Sequence, residues 1–344
     1  MATLIRGKER VEIKDLKVAK GKWIVPLGTY QNYLEFSSIS PTLIRGHFVK
    51  PARSPAERVA LEGRHGAFRR FEGSVKKSDV NLSGKWSLEL VDVSGEKTEA
   101  VLLLDQSGSS LQASIMTPTG DYGYIDGIVD GDEFKTAAFD GVFNFVFRGR
   151  LEGEKLVGEL VGKTSTRFTA TRNEKAELPD PTKQTQVDAI DFTLPTTDGK
   201  KISLKDYAKK PVIIQIFGSW CPNCIDELGF LGPWYEKNKT RGIQVIALSF
   251  EYAPTPEEAR KHLAMVVKKR AIPYPVLLAG TSKDDTPAKI LPGIKNFISF
   301  PTTIFLDRNH KVVKVHAGFN GPGTGLYYGQ FTQMFEETVN GLID

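Results

Sequence analysis

Cys221 and Cys224 are the only cysteines of the chain, and two residues, Pro222 and Asn223, separate them. A thiol pair at that spacing can cycle between dithiol and disulfide. The chemistry needs one sulfur made acidic and a second within reach of it. On a helix, residues three apart share a face, and their Cα atoms fall within the roughly 4.4–6.8 Å that a disulfide spans. If Cys221 opens the helix, its unpaired N–H groups and the positive end of the macrodipole favour a thiolate. Pro222 suits an early helical position, where a missing N–H costs little. Glu227 stands three residues beyond Cys224, so a partly buried carboxylate there is placed to take the proton that Cys224 loses as the resolving thiol.

The flanking residues supply the elements that this arrangement needs. Val212-Ile213-Ile214-Gln215-Ile216-Phe217 is a short apolar, β-branched run that reads as a buried strand. From Pro222 to about Lys239, charged and apolar residues alternate at helical spacing, with Gly232-Pro233 expected to kink or split the helix and Arg241-Gly242 to mark its end. The pair therefore sits where a strand gives way to a helix, the setting of a thioredoxin-like redox motif. A zinc half-site would need further ligands, yet there is no second CxxC, and His47, His65, His262, His310 and His316 form no close pair. A purely structural disulfide would close too small a loop to stabilise much.

Two further strands and two helices follow. Ile243 to Phe250 reads as a second apolar strand, parallel to the first through a right-handed crossover. Pro256 to Lys269 reads as a helix with Glu257-Glu258 early and Lys268-Lys269-Arg270 late, as its dipole favours. After a short strand at Pro275 to Leu278, Thr302 to Asp307 and Lys311 to Val315 form a hairpin, and Gln330 to Leu342 closes with a helix. Ser299-Phe300-Pro301-Thr302 precedes that hairpin. In this layout Pro301 would lie beside the CxxC, with a cis peptide expected before it, leaving the Phe300 backbone to pair with an extended client. The glycine-rich run Gly318 to Gly325 lacks the Lys-Ser/Thr of a phosphate loop and reads as a long turn.

The first half reads as antiparallel β throughout. Alternating segments such as Lys85 to Val91 and Phe143 to Phe147 are separated by turn signals, among them Ser94-Gly95, Asp130-Gly131-Asp132 and Glu152-Gly153-Glu154. This implies a sandwich or an open barrel. The basic stretch from Arg53 to Arg70 reads as a loop. Asp121, Asp126, Asp130, Asp132 and Asp140 do not fit a twelve-residue calcium loop and are taken as turn residues. The polar, proline-bearing residues 176–188 form a linker between an all-β domain at 1–175 and a redox domain at 189–344.

At 344 residues, with 40% hydrophobic and 25% charged residues, the chain has material for two soluble domains. A net charge of +5 makes no case for nucleic acid at this length. The apolar runs are strand-sized, so no membrane span is expected. The first residues lack the apolar core of a secretory signal, which leaves a cytosolic protein or a mature form cut from a precursor.

Residues from about 188 to 344 resemble the TlpA/ResA family of bacterial thiol–disulfide oxidoreductases. The resemblance is carried by Trp220-Cys221-Pro222-Asn223-Cys224, Glu227, Phe300-Pro301-Thr302 and the hairpin before strand 212–217. It implies a thioredoxin-like α/β fold, with Cys221 as attacking thiol, Cys224 as resolving thiol and Glu227 tuning the pair. Pro301 would be the cis-proline, and Trp220, Pro222, Phe300 and Pro301 the surface that meets the client. Gln215 stands where thioredoxin carries a buried aspartate, which throws proton handling onto Glu227. The β half, through Thr119-Gly120-Asp121-Tyr122 and Phe139-Asp140-Gly141, is similar to the N-terminal extension of longer TlpA-like proteins of Bacteroidetes-type bacteria. Such proteins are exported, so the resemblance implies a periplasmic or envelope-anchored location rather than a cytoplasmic one.

The expected function is thiol–disulfide exchange with protein disulfides, in the reducing direction, without a cofactor or metal. An upstream, membrane-bound thiol donor would return the electrons. A thiol peroxidase is the competing enzyme, but peroxiredoxins place Thr or Ser three residues before the reactive cysteine and this chain has Gly218. The non-enzymatic alternative is a redox sensor whose β half docks a ligand or partner.

Overall fold

The computed structural model describes residues 2–51, 56–66, 71, 76, 78–178, 186–281, 285–291 and 293–343. The chain divides into two compact units. One comprises Met1–Ile115 and Tyr122–Glu177, and the other comprises Leu178–Asp344 together with the segment Met116–Asp121.

Eight of the nine strands of one antiparallel sheet, from Gly84–Val91 to Ser165–Arg172 and leaving out the two-residue Gly120–Asp121, belong to the first unit. Ser165–Arg172 pairs back onto Gly84–Val91, and Ser110–Thr117 pairs both with Ile125–Asp130 and with Lys97–Ser107. The sheet is therefore closed, which corrects the expectation of a sandwich or open barrel. Every second side chain turns inward, and Trp86, Leu102, Leu111, Phe134, Phe147 and Phe168 fill the interior. The Phe147 and Phe168 rings lie 4.5 Å apart, and the buried Trp86 indole donates to the Leu82 carbonyl at 3.0 Å. A separate five-stranded sheet runs from Lys17–Ala19 to Glu57–Arg64. Its last strand occupies part of the stretch expected as a loop. Residues 57–64 alternate between half-buried and exposed and pair along their whole length with Leu43–Lys50, so period-two patterning outweighed the basic composition. Residues 53–55 and 67–70 of that stretch lie outside the described residues.

In the second unit a five-stranded sheet has the order Val276–Gly280, Gln244–Phe250, Val212–Phe217, Thr302–Leu306 and Val312–Ala317. The first two pairings are parallel and the last two antiparallel. Val212–Phe217 is buried at every position, as a central strand covered on both faces must be. Helices α1 (Pro222–Asn238), α2 (Pro256–Arg270), α3 (Pro287–Ile290) and α4 (Leu326–Ile343) complete the unit. Helix α1 is not split at Pro233. Aromatic contacts on both sides of the proline, Phe230 to Phe335 at 5.1 Å and Trp234 to Phe335 at 4.9 Å, hold it against α4. Helix α4 begins four residues before the expected Gln330. Its buried Phe331, Phe335, Val339 and Leu342 keep helical spacing, but the added first turn contains the exposed Leu326, which no periodicity marks. Of the expected linker, residues 179–185 lie outside the described residues, while Gln186–Val187 pairs with Ile294–Lys295. Asp121, in the segment grouped with this unit, accepts a hydrogen bond from the Gly321 N–H through its carboxylate.

Candidate active site

The central strand ends at Phe217, and within four residues the chain has turned into α1. Cys221 closes that turn by donating its N–H to the Gly218 carbonyl at 3.1 Å. It is the N-cap of the helix, with extended backbone at φ −99° and ψ 115°. Pro222 opens the first turn, as its fixed φ favours. The Cys221 sulfur accepts the Cys224 N–H at 3.2 Å, the place where an N-cap oxygen would ordinarily sit. An N–H aimed at the sulfur, reinforced by the helix dipole, stabilises negative charge there. The two cysteines are joined as a disulfide with Cα atoms 5.2 Å apart. Cys221 is 6% exposed and Cys224 is fully buried, so an incoming thiol or disulfide meets Cys221 first.

Opposite the sulfur, the Phe300 carbonyl oxygen lies 3.7 Å from Cys221 Sγ, and the Phe300–Pro301 peptide is cis. Trp220 packs beside this contact. Its indole N–H donates to the Phe250 carbonyl at 2.8 Å, its ring stacks on Tyr252 at 4.7 Å, and its edge meets Phe300 at 5.3 Å. Gly218 is required for that placement, because a Cβ there would come within 2.3 Å of Trp220 Nε1. A Thr at this position, as a peroxidase would use, has no room while Trp220 stays where it is.

Behind the pair lies a buried acid. Glu227 is 2% exposed on α1. Gln215 Nε2 donates to its Oε2 at 2.6 Å, and Thr303 Oγ1 donates to its Oε1 at 2.8 Å. Gln215 and Thr303 are register partners on adjacent antiparallel strands, so their side chains leave the same face side by side. Burial raises the Glu227 pKa from 4.5 to about 7, against the opposing pull of the two hydrogen bonds. The Tyr274 phenol also feels the Glu227 charge, and burial first, then that charge, pushes its pKa well up.

Residues 185–315 match the AhpC/TSA family model. The ResA thiol–disulfide oxidoreductase of Bacillus thuringiensis is 30% identical over 156 residues, covering 45% of this chain and 78% of the relative. The chain belongs to the ResA family of thiol–disulfide oxidoreductases. The ResA protein of Bacillus cereus strain ATCC 10987 is 31% identical over the same shares of both chains. Among solved structures, a thiol:disulfide interchange protein of the thioredoxin family from Chlorobium tepidum is 21% identical over 46% of this chain and 97% of its own, with a TM-score of 0.35.

The structure brings Trp220, Cys221, Pro222, Cys224, Phe300 and Pro301 together at one end of the sheet, with Glu227 buried one helical turn past Cys224. Sequence reasoning missed Thr303 and Tyr252. Thr303 is 76 positions from the Glu227 it binds, and only strand register reveals it. Tyr252 follows a strand end and is half exposed, with no spacing to mark it. Among the described residues no group of three or more His, Cys, Asp or Glu side chains converges as a metal site requires. No described helix is long and apolar enough to cross a membrane.

Proposed function

We propose that this protein reduces disulfide bonds of client proteins outside the cytoplasm, with Cys221 as the attacking thiol. The Cys221 thiolate attacks one sulfur of the client disulfide. A mixed disulfide forms, and the other client sulfur leaves as a thiolate. Cys224 gives its proton to Glu227 and attacks the Cys221 sulfur, expelling the second client thiolate. The two electrons that reduce the client come from the Cys221–Cys224 dithiol, which ends as a disulfide. An upstream dithiol donor returns the electrons by the same exchange in reverse.

The observation that carries this reading is the asymmetry of the pair. The residue whose sulfur accepts a helix N–H keeps 6% of its surface exposed, whereas its partner keeps none. Glu227, with a pKa of about 7, is matched to a proton that moves near neutral pH. An extended client segment laid beside Cys221 would pair its backbone with Phe300, whose carbonyl stands next to the sulfur. An exported location rests on the resemblance to exported relatives.

The test is reduction of a protein disulfide by the prereduced protein. Wild type should turn it over and Cys221→Ser should not. Equal rates would remove Cys221 as the nucleophile. Equilibration with glutathione buffers fixes the direction, a potential well below that of the client pool being required of a reductant.

A further inference from the structure

Glu251 immediately follows the strand Gln244–Phe250 and is only 3% exposed. A buried carboxylate survives its desolvation only where donors meet it. Three do so here. The Ser219 N–H donates to Oε1 at 3.1 Å, the Ser219 hydroxyl donates to Oε2 at 2.5 Å, and the Ser249 hydroxyl donates to Oε1. The backbone of Glu251 is itself fixed, its N–H donating to the Gly280 carbonyl at 2.9 Å. Among the described residues, His262 on α2 and Tyr252 beside it feel the Glu251 charge.

Two of those three bonds go to Ser219, which is 1% exposed and lies inside the turn from Gly218 to Cys221. That turn decides where the Cys221 sulfur points. Trp220, the next residue of the turn, adds its indole bond to Phe250, its ring stack on Tyr252 and its edge contact with Phe300. The strand end 249–252 therefore holds the turn at two successive residues.

We propose that Glu251 is a positioning residue for Cys221, strapping Ser219 so that the Cys221 sulfur stays aligned with the Cys224 N–H and the Phe300 carbonyl. The proposal rests on the exchange reading above and adds the group that fixes the geometry of its nucleophile. Without the carboxylate, the Ser219 N–H and hydroxyl are left unpaired in a dry site and the turn shifts to satisfy them. The sulfur then loses its N–H, the thiolate is destabilised, and the reduced form becomes less favourable.

The test compares Glu251→Ala and Glu251→Gln with wild type by equilibration in glutathione buffers, by alkylation of Cys221 against pH, and by the rate of disulfide attack. For Glu251→Ala we expect a thiolate fraction about tenfold lower at neutral pH. The matching tenfold change in the exchange constant places the potential about 30 mV more negative. The attack rate should fall only about threefold, because a more basic thiolate is a better nucleophile. Glu251→Gln should stay within about twofold of wild type, since its carbonyl can accept from the Ser219 N–H and its amide can donate to the Ser219 hydroxyl. A folded Glu251→Ala with wild-type potential and thiol titration would overturn the proposal. So would Glu251→Gln as impaired as Glu251→Ala, which would make charge and not geometry the cause. If Glu251→Ala does not fold, Ser219→Ala removes one tether and should shift the potential in the same direction by a smaller amount. An unchanged value there rejects the strap. A wild type unable to reduce any disulfide would count against the exchange reading alone, because the potential and titration comparison does not depend on turnover.

Discussion

Replacing Glu227 by Gln should change how the stability of the C-terminal unit depends on pH. Burial lifts the Glu227 pKa from 4.5 to about 7. The folded protein therefore holds this proton more tightly than the unfolded chain does. Its contribution to stability is complete below about pH 4.5, declines as pH rises, and is lost once pH passes about 7. At about 1.4 kcal/mol for each pH unit between the two values, the loss amounts to about 3 kcal/mol. Glu227→Gln cannot titrate, yet it can keep both partners: its carbonyl accepts from Gln215, and its amide donates to the Thr303 hydroxyl. Urea unfolding of the two oxidised proteins, followed by pulsed amide exchange across Val212–Phe217, gives the difference at pH 4.5, 6 and 8. Other titrating groups largely cancel in it. Wild type should lose about 3 kcal/mol relative to Glu227→Gln over that range. A difference that stays flat, or that grows in favour of wild type with rising pH, would refute the assignment of a proton to this buried acid.

Gln215→Leu removes a donor to the ionised form of Glu227, so the carboxyl should titrate about one pH unit higher still, as the loss of a hydrogen bond worth roughly 1.5–3 kcal/mol to a charged group implies. Infrared difference titration of the carboxyl band measures this, and an unmoved band would mean that Gln215 does not stabilise the charge. Gly218→Thr should dislodge Trp220 from the Phe250 carbonyl and from Tyr252, slowing disulfide reduction at least tenfold without creating peroxide turnover. Wild-type rates in that variant would show that Trp220 does not shape the site.

The cysteine pair was legible because its requirements are local. A buried strand, a turn and a helix start succeed one another within about a dozen residues, and each has its own residue signature. Glu227 was legible for the same reason, being fixed by helical spacing from Cys224. Its partners were less so. Gln215 is noticeable in an otherwise apolar strand, but that it points at Glu227 follows from the register Gln215↔Thr303 across two strands far apart in the chain. Glu251 gives no sign at all. It reads as a polar residue after a strand, and only the fold carries it under Ser219. In the β half, local alternation revealed the strands but not their closure. Closure depends on Ser110–Thr117 pairing with two neighbours at once, which no window of sequence records. Composition also misled at residues 57–64, where basic neighbours hid a strand that its alternation would have shown.

Closure has a consequence for how this barrel can take hold of anything. An open sheet offers a border of idle amides and carbonyls onto which a foreign segment can zip as one more strand. The eight-stranded cylinder has spent that border on itself. Whatever it grips, it must grip with side chains, by their shape and charge. Selectivity in such a module would be rewritten by surface substitutions that leave its backbone untouched.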